Sequence, residues 1–340
     1  MDVVQNQRGF LIKNTKNLFF IIALGLIVSS YNACSKFQTV NTEAIVPSSS
    51  LESSNEDSQT GNPALPNPVP TPGSVQNPSP TPNPQPPVPS PQPPISGSGA
   101  WPNEPIGLSA LFDWSFNASS GNGLVDVYKA GRIVNDPYAP FSPGNVLEVR
   151  KPAGATLGGA QLDYYFPDRN EVYVGMWWKT NAEFDGYLHQ GNKLFFVISN
   201  DSNSVFYWYG PSGSEKKLIF VFQAGAGSAL NNCHIPQFQG ACGGADGATG
   251  LLFPNIGDGT AIRGQWHRIE LYLRRSATAS SRDGIIRWWL DGKIVGDFSN
   301  VNLGPNPFYW YSLNQAWDGT GAGYQHDWIH WFDHLRISGK

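Results

Sequence analysis

Charge, sulfur and long apolar runs are all scarce in this sequence, and each scarcity closes off a class of protein. Charged residues are 14% of the 340, with 22 Lys and Arg scattered against 26 Asp and Glu for a net charge of -4. Phosphate binding needs clustered cations, so nucleic acid is excluded as the main partner. The N-terminal apolar run, Leu18 to Val28, has 11 residues, whereas a spanning helix needs about 20. No stretch keeps a 3.6-residue apolar period between caps, which argues against a helical fold. Three cysteines and two methionines complete the list of shortages. Aromatics and proline are abundant instead, with 12 Trp, 13 Tyr, 19 Phe and 28 Pro, and aromatic and β-branched residues favour strands.

The N-terminus reads as an export signal. Arg8, Lys13 and Lys16 precede the apolar run, and Ser29, Ser30 and Ala33 follow it. A positive lead, a short apolar region and small residues at a cleavage site describe a signal peptide over residues 1–33. The alternative is an uncleaved signal anchor extended through Tyr31. The segment Ser30-Tyr31-Asn32-Ala33-Cys34 resembles the lipobox of bacterial lipoproteins, with Tyr31 and Asn32 departing from its usual residues. The resemblance implies cleavage before Cys34, acylation of its sulfur, and, from Ser35, sorting to the outer membrane. Each buried CH₂ of such a lipid contributes ~0.8 kcal/mol. The expected location is outside the cytoplasm, lipid-anchored to the bacterial outer membrane or cell surface, with the membrane a partner through that lipid.

Residues 34–100 read as a disordered tether. Fifteen prolines fall between Pro63 and Pro94, interleaved with Asn, Thr, Ser, Val and Gln. Proline fixes φ and removes a donor, so neither helix nor central strand forms there. Polyproline II at ~3.1 Å per residue would hold a domain up to ~100 Å from its anchor. A docking motif for a polyproline-reading domain is the functional alternative.

Residues 101–340 are expected to form one all-β domain. Strand-like runs occur at Leu108–Phe116, Val146–Val149, Gln161–Phe166, Glu171–Lys179, Lys193–Ser199, Val205–Tyr209, Leu218–Gln223, Trp266–Arg274, Ile285–Leu290, Ile294–Phe298 and Asp327–Ile337. Asp291-Gly292 supplies the positive φ of a primed hairpin turn. Within Glu171–Lys179 the alternation sets Val172, Val174, Met176 and Trp178 on one face and Tyr173, Gly175, Trp177 and Lys179 on the other. Many strands with Gly-rich turns indicate a sandwich or jelly roll. Cys233 and Cys242 lie in a Gly-rich loop; if Cys34 is lipidated they are the remaining thiols, and in an exported chain such a pair is usually bridged, for ~2–3 kcal/mol. Two free thiols are the alternative.

Several segments carry a resemblance. Gly264-Gln265-Trp266 with the strand after it, Trp289-Leu290-Asp291-Gly292, and the closing Trp331–Ser338 resemble the concanavalin A-like lectin and glucanase superfamily. Leu111-Phe112-Asp113 resembles its opening strand, and Glu171–Lys179 with Lys193–Ile198 resembles the inner strands of its polysaccharide-lyase-like members. The resemblance implies a concanavalin A-like β-sandwich (jelly roll). It covers lectins, laminin G-like modules, glucanases and lyases alike, and the fold does not choose among them. It also makes a structural Ca²⁺ plausible, with Asp113 and Asp333 as candidates; no other cofactor is required.

Residue chemistry offers three function classes. The first is a carbohydrate-binding surface module, since sugars stack on aromatic faces; Trp177, Tyr207, Tyr209, Trp288, Trp310 and Trp317 are the candidates. Adjacent aromatics point to opposite faces of a sheet, so Trp177/Trp178 and Trp288/Trp289 cannot all lie in one core. The second is a polysaccharide lyase acting on a uronate glycan by β-elimination. It needs a base, a carboxylate neutraliser and an acid. The candidates are His189, Gln190 and Lys193 in one cluster and Tyr324 and His326 in another, all equally readable as ordinary polar loop residues. Glycoside hydrolysis ranks lower, because the E-x-D-x-x-E signature of the related glucanases is absent and Glu171, Glu183 and Glu270 are isolated. His326, His330 and His334 would share a strand face but spread over ~26 Å, too far for one metal. The third class is an adhesion or structural protein binding another protein.

Overall fold

In the computed structural model the described residues are 101–117, 123–126, 131–141, 144–153, 161–184, 192–200, 202–209, 216–224, 230–240, 249–314 and 326–340. They form strands and no helix: β1 (Ser109–Trp114), β2 (Val125–Asp126), β3 (Gly131–Asp136), β4 (Gly144–Lys151), β5 (Gln161–Arg169), β6 (Glu171–Thr180), β7 (Asn192–Ser199), β8 (Ser202–Tyr209), β9 (Lys216–Ala224), β10 (Phe238–Gly240), β11 (Thr249–Leu252), β12 (Thr260–Ala261), β13 (His267–Arg274), β14 (Gly284–Leu290), β15 (Lys293–Val301), β16 (Phe308–Asn314) and β17 (Trp328–Gly339).

Sheet I has the order β15-β14-β13-β6-β17-β4-β3, with β1 also on β17. Sheet II has the order β10-β11-β9-β8-β7-β16-β5-β2, with β12 also on β9. The pairings are antiparallel. The main core lies between the two sheets and draws on both, with Val174, Met176, Trp178 and Trp288 from sheet I and Leu194, Phe206, Phe220 and Tyr311 from sheet II. The all-β sandwich of the jelly-roll kind expected from the sequence is therefore present.

Local chemistry explains the register. Asp291 and Gly292 both have positive φ (51° and 79°), which matches the strand twist and closes the β14–β15 hairpin. Asp291 also accepts from the Arg268 backbone N–H (2.8 Å) and the His267 ring (2.8 Å), tying the turn to β13. In β17 the first half pairs with β4 and the second half with β1. The change occurs at a bulge between Asp333 and Leu335, where His334 has φ 58°.

That bulge corrects one expectation. His330 lies in the core, with its Nδ1 accepting from the Trp178 indole N–H (2.9 Å). His334 lies on the outer face, against Trp101 and Phe141. The extra residue reverses the alternation, so the histidines do not share a face.

Part of the outer face of sheet I is closed by the chain's own residues. Trp101, Tyr173, Trp177, Tyr272 and Trp289 form a second buried cluster there. Gly175 makes the room: a Cβ on it would stand 2.5 Å from the Trp101 ring. Beneath this cover Glu270 is fully buried. It accepts from the Tyr173 hydroxyl (2.6 Å) and the Asn103 side-chain amide (3.0 Å), and pairs with Arg268 (2.9 Å).

Candidate functional site

The outer face of sheet II is built differently. Along β5, Leu162, Tyr164 and Phe166 pack inward, so alternation sends Gln161, Asp163 and Tyr165 outward. On the neighbouring β16, Trp310 stands opposite Tyr165 and Ser312 opposite Asp163. Beyond β16, Trp310 and Ser312 meet Ile198 and Phe196 of β7. Phe196, Ile198, Ile219 and Val221 form an apolar strip across this face, with Tyr309 and Trp310 partly buried against it. Lys193 heads β7, its ammonium 5.8 Å from the centre of the Phe196 ring, and its backbone pairs with Tyr207 of β8.

Two features set the chemistry. Tyr165 is 58% exposed and stacks on Trp310 with ring centres 5.2 Å apart and planes 19° apart, an aromatic platform open to solvent. Beside it, Asp163 is buried, and its Oδ2 accepts from the Gln161 amide (2.8 Å). Its Oδ1, the Ser312 hydroxyl and the Trp310 indole N–H lie buried beside one another, near enough for Ser312 and Trp310 to favour the carboxylate but with no well-formed hydrogen bond among them. Buried polar atoms are ordinarily paired, so this row offers an acceptor and two donors to a bound molecule. Burial raises the Asp163 carboxyl above its usual range, opposed by the nearby Ser312, Gln161 and Trp310. The Tyr165 phenol is pushed up to about 12 by burial, helped by Asp163 and Tyr309.

The sequence candidates separate on this map. Lys193 and Trp310 lie on the outer face of sheet II, and Tyr207 and Tyr209 belong to its strand β8, their side chains lying outside the description. Trp177 and Trp288 are corrections. Trp288 is fully buried between the sheets over Gly296, and Trp177 is sealed under the cluster on sheet I, so neither ring can stack on a sugar. His326 is exposed just before β17. His189, Gln190, Tyr324, Trp317 and Cys34 lie outside the described residues. Cys233 takes part in a disulfide; Cys242 lies outside the described residues.

Asp113 and Asp333 are both engaged by the protein. Asp113 bonds to His334 and Arg336, and His334 foremost holds its carboxyl below the usual range. Asp333 accepts from the Phe141 N–H (2.7 Å). Among the described residues no three His, Cys, Asp or Glu side chains gather as a metal site.

The sequence reading overlooked Gln161, Asp163, Tyr165 and Ser312. The alternation of β5 was the available signal for the first three. For Ser312 there was less to read, because a bulge between Phe308 and Trp310 breaks the period of β16.

Comparison with known proteins returns no matching family model and no matching curated relative. Among solved structures the chain is similar to an endo-β-1,4-glucuronan lyase from the fungus Trichoderma reesei, at 14% identity, over 68% of this chain and 96% of that one, with a TM-score of 0.49. It is similar to the alginate lyase vAL-1 from Chlorella virus at 10% identity, over 68% and 100% of the chains, TM-score 0.46. A mutant of the alginate lyase Aly36B in complex with an alginate trisaccharide matches at 14% identity, over 68% and 99%, TM-score 0.48.

Proposed function

We propose that this protein is an exported, lipid-anchored glycan-binding protein whose binding surface is the outer face of sheet II. The observation that carries the reading is the solvent-open Tyr165–Trp310 stack beside the unpaired polar atoms of Asp163, Ser312 and Trp310. An aromatic plate supports the C–H face of a sugar ring, and fixed donors and acceptors at its edge take the hydroxyls. The N-terminal signal, acylation at Cys34, the tether and a Cys233–Cys242 bridge belong to the same proposal.

A second reading is favoured by the pairing of Lys193 with Tyr207 on the same sheet. In a uronate-bound site a lysine or tyrosine would take the proton at C5. The C4–O bond would then break as a tyrosine or histidine gives a proton to the departing O4, leaving an unsaturated uronate and a free hydroxyl on the departing chain. His189, Gln190, Tyr324 and His326 are the remaining candidates for that chemistry.

The test incubates the full chain, in detergent micelles, with neutral and uronate polysaccharides, with and without a calcium chelator. Retardation in glycan-loaded gels that Tyr165→Ala removes, without new ultraviolet absorbance, establishes the binding module. Absorbance of unsaturated ends that Lys193→Ala abolishes establishes the lyase. Neither signal defeats both readings and turns attention to a protein partner. Loss of either signal on chelation would bring Asp113 and Asp333 back as calcium ligands.

A further inference from the structure

Sheet I carries a ladder of its own. Across its outer face Lys179 of β6 stands opposite Trp331 of β17, Trp331 opposite Glu148 of β4, and Glu148 opposite Arg132 of β3. Trp266, just ahead of β13, extends the row on the other side. The Lys179 ammonium lies 4.7 Å from the centre of the Trp266 ring and 4.8 Å from that of Trp331, and pairs with Asp136 at 2.7 Å. The Trp331 indole donates to Glu148 (2.9 Å), which also accepts from Arg132 (2.8 Å). From β13 to β3 the row crosses four strand spacings, about 19 Å.

We infer that this row is a second glycan-binding surface, on the face opposite the first, and that it takes a neutral oligosaccharide. Three observations support it. The two tryptophans flank one cation, the Lys179 ammonium, and neither is buried. Preorganised rings lose little freedom on binding. The Trp266 indole N–H lacks a partner although that atom is shielded from solvent, and it offers a donor at the ladder's end. The charges also cancel along the row. Lys179 meets Asp136, Arg132 meets Glu148, and Arg150 reaches both Glu148 (3.7 Å) and Asp327 (3.5 Å). An anionic chain would meet no surplus cation here, whereas sugar hydroxyls find both donors and acceptors along the outer rim. There the side chains of Arg132, Arg150 and Asp327 are 59%, 46% and 44% exposed.

Titration calorimetry of the full chain in detergent micelles tests this with cellohexaose, xylohexaose and a uronate hexamer. The expected result is binding of a neutral hexamer. Trp266→Ala should weaken that binding about tenfold, the size of one lost stacking contact, both in the parent and in a Tyr165→Ala background that disables the first surface. Because Trp266 helps hold Lys179, Arg132→Ala is run alongside. Its exposed side chain can be removed without opening the sheet, and it should weaken the same ligand. Near-ultraviolet circular dichroism confirms that each variant is folded. The inference is overturned if neither neutral hexamer binds, if Tyr165→Ala removes the binding, or if folded Trp266→Ala and Arg132→Ala both bind like the parent. A failure confined to Tyr165→Ala and sheet II ligands would defeat the first surface and leave this one standing.

Discussion

The outer faces of the two sheets each bury a carboxylate among aromatic rings, and the two carboxylates are satisfied to different degrees. On sheet I the buried carboxylate Glu270 is surrounded by Tyr173, Asn103 and Arg268, and the segment from Trp101 lies over it. On sheet II the buried carboxylate Asp163 has one oxygen met by Gln161 and the other in no well-formed hydrogen bond, beside the Ser312 hydroxyl and the Trp310 indole. Burying a polar group without a partner costs about 1–3 kcal/mol. Around Glu270 the carboxylate is saturated, although the Trp101 and Trp177 indoles beside it are not; around Asp163 the carboxylate itself is the group with capacity left. The state of the buried carboxylate, more than the number of aromatics, separates the covered patch around Glu270 from the open patch around Tyr165.

The contrast is broken most severely from inside. Trp288 fills the space between the sheets and lies against Phe206 and Phe298. Trp288→Ala should cost about 3–5 kcal/mol, as large aromatic deletions in cores do, and both faces should lose function together. A fall in the urea midpoint of less than the equivalent of about 1 kcal/mol would mean that the sheets are not held by this core.

Acid should act on the same interior. Burial, with some help from Lys151, lowers His330 to about 3 from its ordinary 6.5. The unfolded chain takes up its proton near 6.5 and the folded chain near 3. Stability is therefore fully present above pH 6.5 and falls by about 1.4 kcal/mol per pH unit as the pH drops through that window. His330→Gln removes the titration, so its urea midpoints between pH 7 and 4 should fall less steeply than the parent's. Parallel slopes would show that His330 is not held neutral.

A smaller change separates the faces. In Gly175→Ala the new methyl would stand 2.5 Å from Trp101, so the covering segment must shift, at about 1–3 kcal/mol. Glycan retention through sheet II should survive, while amide exchange near Glu270 and Tyr173 rises. Unchanged exchange would mean that the cover is not seated by Trp101.

The sandwich was legible because its strongest strands alternate cleanly. Glu171–Lys179 was divided into the right two faces, and Asp291-Gly292 marked its hairpin. The positions of the tryptophans were not legible. Alternation shows that Trp177 and Trp178 part company, but not that residues 101–108, nearly 70 positions earlier, close over Trp177. That closure depends on Gly175 providing space for Trp101, a contact between sequence-distant residues with no local signature. The strands β3 and β16 escaped notice for different reasons. Gly131–Asp136 is short and half polar, and β16 has a bulge at the residues whose period would have revealed it. The tyrosine of the platform, Tyr165, lies in the expected run Gln161–Phe166, which β5 extends to Arg169, and nothing local marks its ring as more available than those of the tryptophans.

Tyr165→Ala should have the smallest effect on stability and the clearest effect on function. The ring is 58% exposed and its only described ring partner is Trp310. Its removal leaves no cavity, because the space belongs to solvent, and substitutions of that kind stay within about 0.5 kcal/mol. A ligand that lies on the plate loses half of it, so binding should fall about tenfold. The pairing of the two measurements gives the test its force. A variant as stable as the parent that no longer retains glycan assigns the loss to the surface of sheet II. A variant as stable as the parent that retains glycan fully would leave the Tyr165–Trp310 stack as surface packing, and the unpaired atoms of Asp163 and Ser312 would then need another occupant.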